Sequence, residues 1–509
     1  MPRLRRLRPR RVVQDQDDRL SALPEELIRL ILSRLDTRSA LSTAVLARRW
    51  ARLPRDLPAY DLRVGDILPP QYDQTVALRR RNLPRDTAQA RVLDSLMASC
   101  EVSAMRAFED GITGFLEGDA RRCVNTLRLE FFHTHDGGCI VDRLGCIVDR
   151  LIADAVGVWG VQDLEVVVRP ASQEHEPWPA YSFPHDRLKD GHRSRLHSLT
   201  IGNCMLPPRL HCYDTLTKLV LRDMPASTPV GVYERALSEC NQLQVLHLTS
   251  CSCVEDRLVV CSQIRELVVE ACSFMVIELQ DLPMLAHLAY LTNTVELVFG
   301  SVPCLTHTNL TFFVEEDILV LPPLPHHHDQ LNHFLGMSPT MGNLVIRFTG
   351  PKMWIGANKL HEPLLHLKRL LVADLPSNWD VSWTRTLLMA APSLEALHIN
   401  VAHSELPETY GIIWSIRSQK QCHPHMKELV MIGFTLTRLQ MEFLKYIVTA
   451  CTSLQRLVLL KDGHVRYNGL WDWDMVRGLE ECNRRDHDKR RLRRLIKSGP
   501  NPLVELILG

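Results

Sequence analysis

The sequence predicts an α/β chain in which a small helical module precedes a solenoid of short parallel strands. Two patterns and one composition predict it. The string apolar-x-x-Leu-x-apolar recurs from residue 124 to residue 508, and residues 18–58 hold closely spaced helix signals. The chain is 45% hydrophobic and 23% charged, ordinary globular usage that excludes a disordered or collagenous polymer.

At 509 residues the chain is too long for one compact module, so it holds a few domains or one repeat array. Lys+Arg 60 against Asp+Glu 59 leaves +1, without the global field of a nucleic-acid or anionic-membrane binder. Any basic function is therefore local. No apolar run reaches the length of a membrane span, about 18 residues or more. The start, MPRLRRLRPRR, lacks the apolar core of a signal peptide. These features predict a soluble protein of the nucleus or cytoplasm, where the 15 scattered cysteines stay reduced and form no structural disulfides.

Residues 1–17 read as a disordered basic arm, with six arginines in the first eleven positions. In 18–58, Leu23-Pro24-Glu25-Glu26 is a helix start: proline suits the first helical position and two carboxylates suit the positive end of the dipole. Leu27, Ile31 and Leu35, with Ile28 and Leu32 beside them, form one broad apolar face. Asp36 or Thr37 caps a second helix, and Ser42 or Thr43 a third that carries Val45, Leu46 and Trp50. Pro54 and Pro58 close the unit. Three short helices bury too little to stand comfortably alone, so part of the apolar surface is expected to meet a partner.

Asp18, Leu23-Pro24, Leu27, Ile31, Leu32, Leu35, Thr37, Thr43, Val45, Leu46, Arg48, Arg49 and Trp50 together resemble the F-box, the adaptor-binding module of SCF-type ubiquitin ligases. Many members have a second tryptophan where this chain has Pro54. The resemblance implies that Leu23, Pro24, Leu27, Ile31, Leu35, Val45, Leu46 and Trp50 contact a Skp-type adaptor, and through it a cullin.

Residues 59–120 read as a helical connector, with Val92, Leu93, Leu96 and Met97 on one face and Phe108, Ile112 and Phe115 on another. Arg79-Arg80-Arg81 reads as a solvated face.

From 121 to 509 the repeat governs. Its central leucines are Leu127, Leu164, Leu199, Leu219, Leu246, Leu267, Leu288, Leu344, Leu370, Leu397, Leu429, Leu457 and Leu506, with a weaker match at Leu305/Thr308/Leu310. Many spacings fall within about 20–29 residues, the leucine-rich-repeat period, and the longer ones are insertions. The expected architecture is a leucine-rich-repeat solenoid, with parallel strands on the concave face and helices and loops on the convex face. Each Leu-x-apolar pair points inward and the residues between point to the concave surface. Cys204, Cys251 and Cys272, each five residues after a central leucine, and Asn293 after Leu288, fill a turn position and read as buried structure. Three longer units carry helical approaches: Ala236-Leu237 to Cys240, Leu387-Leu388 to Ala391, and Ile447-Val448 to Cys451. Residues 422–460 resemble the FBD region of plant F-box leucine-rich-repeat proteins, with Gln440 where an acidic residue is common.

No phosphate-binding glycine loop, Cys-x-x-Cys pair or His-Glu-x-x-His occurs, so no catalytic residue, metal ligand or cofactor is assigned. Cys251 and Cys253 are too close for a usual zinc pair, His326-His327-His328 reads as a loop insertion, and Pro363 breaks the helix that His361-Glu362 would need. Gly138–Leu144 repeats verbatim as Gly145–Leu151. A seven-residue copy keeps a helix's apolar face nearly in register. The basic run from Arg484 to Lys497 reads as a solvated helix or a nuclear-import signal.

The resulting expectation is a non-catalytic substrate receptor of an SCF-type ligase. Strand alternation offers Lys218, His247, Glu266, His287 and His398 as contacts to an unknown target protein. A scaffold acting outside a ligase, and a nucleic-acid-associated regulator using the basic ends, are the alternatives.

Overall fold

The computed structural model describes residues 23–46, 50, 53, 57–80, 87–116, 124–133, 140–170, 181–184, 194–206, 214–253, 257–293, 296–312, 340–348, 363–377, 384–402, 422–478 and 486–509. The basic arm, Arg48, Arg49, Pro54, Arg81, the His326–His328 run, His361-Glu362 and Arg484-Arg485 lie outside them. The chain divides into two compact units, Met1–Pro179 with Pro184–Leu196, and Ala180–Phe183 with His197–Gly509.

The first unit starts with α1 (Glu25–Leu32), whose first turn carries Glu25 and Glu26 and whose preceding residue is Pro24, one position earlier than the sequence suggested. α2 (Thr37–Ser42) follows, then a 3-10 turn at Thr43–Val45. The two candidate caps divide their work. Asp36 Oδ1 accepts from Ser39 N–H at 2.8 Å and caps α2. Thr37 Oγ1 accepts from Asp61 N–H at 2.7 Å and ties the helix to β1 (Ala59–Arg63).

β1 corrects the expected boundary, because the 59–120 connector begins with a strand. It pairs in parallel with β2 (Thr126–His133), setting Tyr60 beside Leu127 and Leu62 beside Leu129, and β2 pairs with β3 (Asp163–Pro170). The first rung thus has tyrosine in place of the central leucine. Between them, α3 (Gln71–Arg80) and α4 (Ala88–Leu116) pack together. Arg79 bonds Asp94 at 2.7 Å and so joins these helices rather than forming part of a solvated face. Phe108, Ile112 and Phe115 are buried as expected, while Val92 and Leu96 are exposed and correct the assignment of that face. Both copies of the duplicated heptapeptide contribute to one helix, α5 (Ile140–Asp154).

The second unit carries the main repeat. After the two-residue β4 (Tyr181–Ser182), its strands are β5 (Ser198–Gly202), β6 (Cys204–Met205), β7 (Lys218–Arg222), β8 (Val245–Thr249), β9 (Arg257–Cys261) and β10 (Glu266–Glu270). They continue as β11 (Val276–Asp281), β12 (His287–Asn293), β13 (Glu296–Ser301), β14 (His307–Phe312), β15 (Asn343–Phe348) and β16 (Arg369–Pro376). The last are β17 (Ala396–Ala402), β18 (Glu428–Ile432), β19 (Arg456–Leu460), β20 (Gly463–Asn468), β21 (Asp472–Arg477) and β22 (Glu505–Leu508).

Every recurring string of this unit, the weak one included, is a strand of one parallel sheet ordered β5-β7-β8-β10-β12-β14-β15-β16-β17-β18-β19-β22. The central residues stand side by side, from Leu199 beside Leu219 through Leu288, Thr308 and Leu344 to Leu457 beside Leu506. From Leu199 to Leu457 their side chains are buried and form the core, while Leu506 on the last strand is half-buried.

Repeat length selects the return path. Where central positions lie 27 or 28 apart (219 to 246, 370 to 397, 429 to 457), the chain returns through α6 (Val230–Glu239), the helix Thr384–Ala390 or the helix Arg438–Ala450. Between Leu246 and Thr308, where they lie 20 or 21 apart, it returns through β9, β11 and β13, a second parallel sheet that the sequence reading missed. A ten-residue helix and a five-residue strand both advance about 15 Å, so the shorter repeat still closes its rung.

Candidate functional site

Among the described residues, no group of three or more His, Cys, Asp or Glu side chains is placed to hold a metal ion. No described helix is long and apolar enough to cross a membrane. Cys204, Cys251 and Cys272 are buried, and their Sγ atoms donate to backbone carbonyls: Cys204 to Gly202 at 3.1 Å, Cys251 to Leu221 at 3.4 Å and Cys272 to Leu248 at 3.5 Å. Burial pushes the thiols of Cys240 and Cys451 up to about 12, so they stay protonated and unreactive. Two surfaces remain.

The first lies on the helical module. Its apolar face splits in two: Ile28 and Leu32 are buried, each worth roughly 1.5–3 kcal/mol, while Leu27, Leu30, Ile31, Leu35, Val45 and Leu46 face solvent. Val45 is 87% exposed and Leu46 69%. Leu23 is half-buried and Pro24 exposed. Trp50 departs from expectation: at 4% exposure its ring belongs to the interior and offers no face to a partner. Leu30 was missed, although it stands one turn from Leu27 on the same stripe.

The second is the concave face of the main sheet. Its middle row runs Val220, His247, Val268, Ala289, Asn309, Val345, Leu371, His398, Val430, Val458 and Ile507. Of the expected target contacts, Lys218 is exposed. His247 Nε2 meets Glu266 Oε1 at 2.7 Å, and that bond holds the Glu266 carboxyl below its ordinary value against the opposing effect of burial. These residues lie on β7, β8 and β10.

The remaining two are covered. β20 and β21 form an antiparallel hairpin that lies on this face. Trp473, 2% exposed, packs on Val345, Leu371 and Ala373, with Val465, Tyr467 and Met475 beside it. Met475 also meets the cluster of Val430, Ile432, Val458 and Leu460. Trp473 Nε1–H donates to His398 Nδ1 at 2.7 Å. An indole nitrogen only donates, so the His398 proton sits on Nε2, directed at Glu428 Oε1 at 2.8 Å. His398 is 7% exposed and His287 lies against Trp471 with ring centroids 5.1 Å apart. Neither is the open contact that strand alternation suggested, because alternation reports the face and not what covers it.

Further contacts hold the hairpin. Arg369 pairs with Asp472 at 2.8 Å and sets its guanidinium 4.4 Å from the Trp473 ring centroid. Arg347 stands 4.9 Å from the Tyr467 ring, and Asn309 Nδ2 donates to the Leu470 carbonyl at 2.9 Å. Against these, Asn309 Oδ1, Thr311 Oγ1 and the Tyr467 hydroxyl are buried without a hydrogen-bond partner. Each such group costs about 1–3 kcal/mol. The hairpin was legible in principle: Asn468-Gly469 separates two runs of alternating apolar residues inside the longest gap of the repeat.

With this geometry in view, the family comparisons are decisive. The model of the At1g61320/AtMIF1 LRR domain matches residues 119–477, well over half of the chain. The chain belongs to that family. A model of the F-box domain matches residues 20–62, so the helical module is an F-box ahead of the leucine-rich repeats. Similar proteins from Arabidopsis thaliana include the F-box/FBD/LRR-repeat protein At3g49030, 37% identical over 83 residues, which are 16% of this chain and 18% of the relative. Another, the F-box protein At3g58860, is 46% identical over 54 residues, 11% of this chain and 12% of the relative. The matched segments therefore span less than a fifth of either relative. Within the family's repeat span, residue 477 closes the hairpin, so β20 and β21 belong to the matched domain.

Proposed function

We propose that this protein is the substrate-recognition subunit of an SCF-type ubiquitin ligase, with the F-box docking a Skp-type adaptor and through it a cullin, while the repeats bind a target protein. The observation that carries the reading is the exposed stripe of Leu27, Leu30, Ile31, Leu35, Val45 and Leu46 on an F-box whose other face is packed. A short module leaves such a stripe open only where another surface closes it. Covering six exposed apolar side chains contributes on the order of 5 kcal/mol to association. The protein's own side chains make no bond in this scheme. It raises the effective concentration of target beside a charged conjugating enzyme, in the nucleus or cytoplasm.

Co-purification with a Skp-type adaptor tests the reading. Val45→Asp adds a charge at an exposed position, so it should reduce adaptor recovery at least about tenfold with an unchanged thermal midpoint. The Leu23→Ala/Pro24→Ala double variant should also lose adaptor. Equal recovery by wild type and both variants would remove the docking claim.

A further inference from the structure

The hairpin occupies its groove the way a ligand occupies a site. One large aromatic anchor, Trp473, enters an apolar floor, its N–H meets the His398 acceptor, a cation covers its ring, and the acidic residue before it pairs with that same cation. β20 and β21 form a sheet of their own and pair with no strand of the main sheet. A two-stranded hairpin is marginal by itself, so its position depends on these side-chain contacts. Its fit is also incomplete, since Asn309 and Thr311, both more than nine-tenths buried, leave polar atoms unmet, as does the Tyr467 hydroxyl.

We propose that the hairpin Gly463–Arg477 is a resident stand-in for a partner. The concave groove over β14 to β19 and β22 is a peptide site for a tryptophan-bearing segment with an acidic residue before the tryptophan, and the hairpin closes it in cis until such a segment displaces it. This rests on the target-receptor reading only for the identity of the partner as a target. The occupant is defined by the groove: the floor of Val345, Leu371 and Ala373 takes the indole, Arg369 takes the carboxylate, and Asn309 and Thr311 take polar groups that the hairpin does not supply.

The test adds a synthetic peptide spanning residues 463–477 to the full-length chain and reads binding by fluorescence anisotropy. In one variant a glycine–serine segment replaces residues 464–476; in a second, Trp473→Ala keeps the hairpin backbone. The loop-replaced chain should bind the peptide at least about tenfold more tightly than wild type, and the Trp473→Ala chain should do so to a lesser degree. Leu371→Arg in either background, or alanine for tryptophan at position 473 of the peptide, should abolish binding. Folded variants that fail to bind, or that bind the tryptophan-free peptide equally well, would overturn the proposal. So would loss of the folded state in both variants, since the hairpin would then be a fixed part of the core. Adaptor recovery reads the F-box separately, so its failure would not be mistaken for failure of the groove.

Discussion

Thr308 occupies the central position of its rung, between Leu288 and Leu344, with its hydroxyl buried and unpartnered. The weakest match of the repeat is thus a true rung with a polar defect. Thr308→Val keeps the shape and removes the unmet group, so it should raise the stability of the full chain by about 1 kcal/mol in chemical denaturation. A lowered midpoint would show that the hydroxyl is satisfied in solution. Thr37 and Asp36 teach the complementary lesson. Both suit a helix cap, and their division of labour depends on Asp61, which lies distant in sequence. Gln440 is buried, accepting from Thr435 N–H at 2.8 Å and donating to the Gly433 carbonyl at 3.2 Å. An amide does both, and a carboxylate in its place would only accept.

At the scale of the element, strands end by a shared device. Asn203, Asp223, Ser250, Ala271 and Asp374 all have positive φ four residues after a central leucine, and Gly433 takes the same position with φ +75°. The first four each donate a backbone N–H to the neighbouring rung, Asn203 to Arg222 and Ser250 to Glu270 among them. A non-glycine residue is tolerated at five of these positions, but a Cβ on Gly433 would lie 2.4 Å from the Val401 carbonyl oxygen. Gly433→Ala should therefore cost more than the roughly 1–2 kcal/mol of left-handed backbone alone, read as a lower denaturation midpoint. A change within experimental error would mean that β17 yields. The strands themselves were legible because the Leu-x-apolar signal has a period of two and recurs. The second sheet was not, because Leu258-Val-Val260 and Ile277-Glu-Leu279 are short alternations whose role depends on the length left between rungs. The first rung departs from the recurring string because Tyr60 stands where the other rungs have leucine or, at Thr308, threonine.

For the molecule as a whole, several charged groups respond to acid in one direction. Glu266 and Glu428 are held below the ordinary 4.5 by their bonds to His247 and His398. A depressed carboxyl contributes stability that is present above the unfolded value and lost as pH falls through the folded one. His307 and His423 are held below 6.5, first by burial, so the folded state favours their neutral forms and is weakened as pH falls from 6.5 toward the folded values. Thermal midpoints should be flat at neutral pH, fall below 6.5 and fall further below 4.5. His307→Gln should flatten the first phase and Glu428→Gln the second. A midpoint higher at pH 5 than at pH 7 would contradict the assignment.

What the sequence determined by itself was the F-box and the repeat, since both are local patterns. Spacing sets which side chains share a face, and a face that is apolar in every rung must be buried by stacking. Only the tertiary structure decided which apolar residues stay exposed, Leu27, Ile31 and Val45 outward but Ile28, Leu32 and Trp50 inward. It alone also decided that a hairpin from the gap after β19 covers His398. Burial depends on which surfaces meet across long stretches of chain, and no local period encodes that.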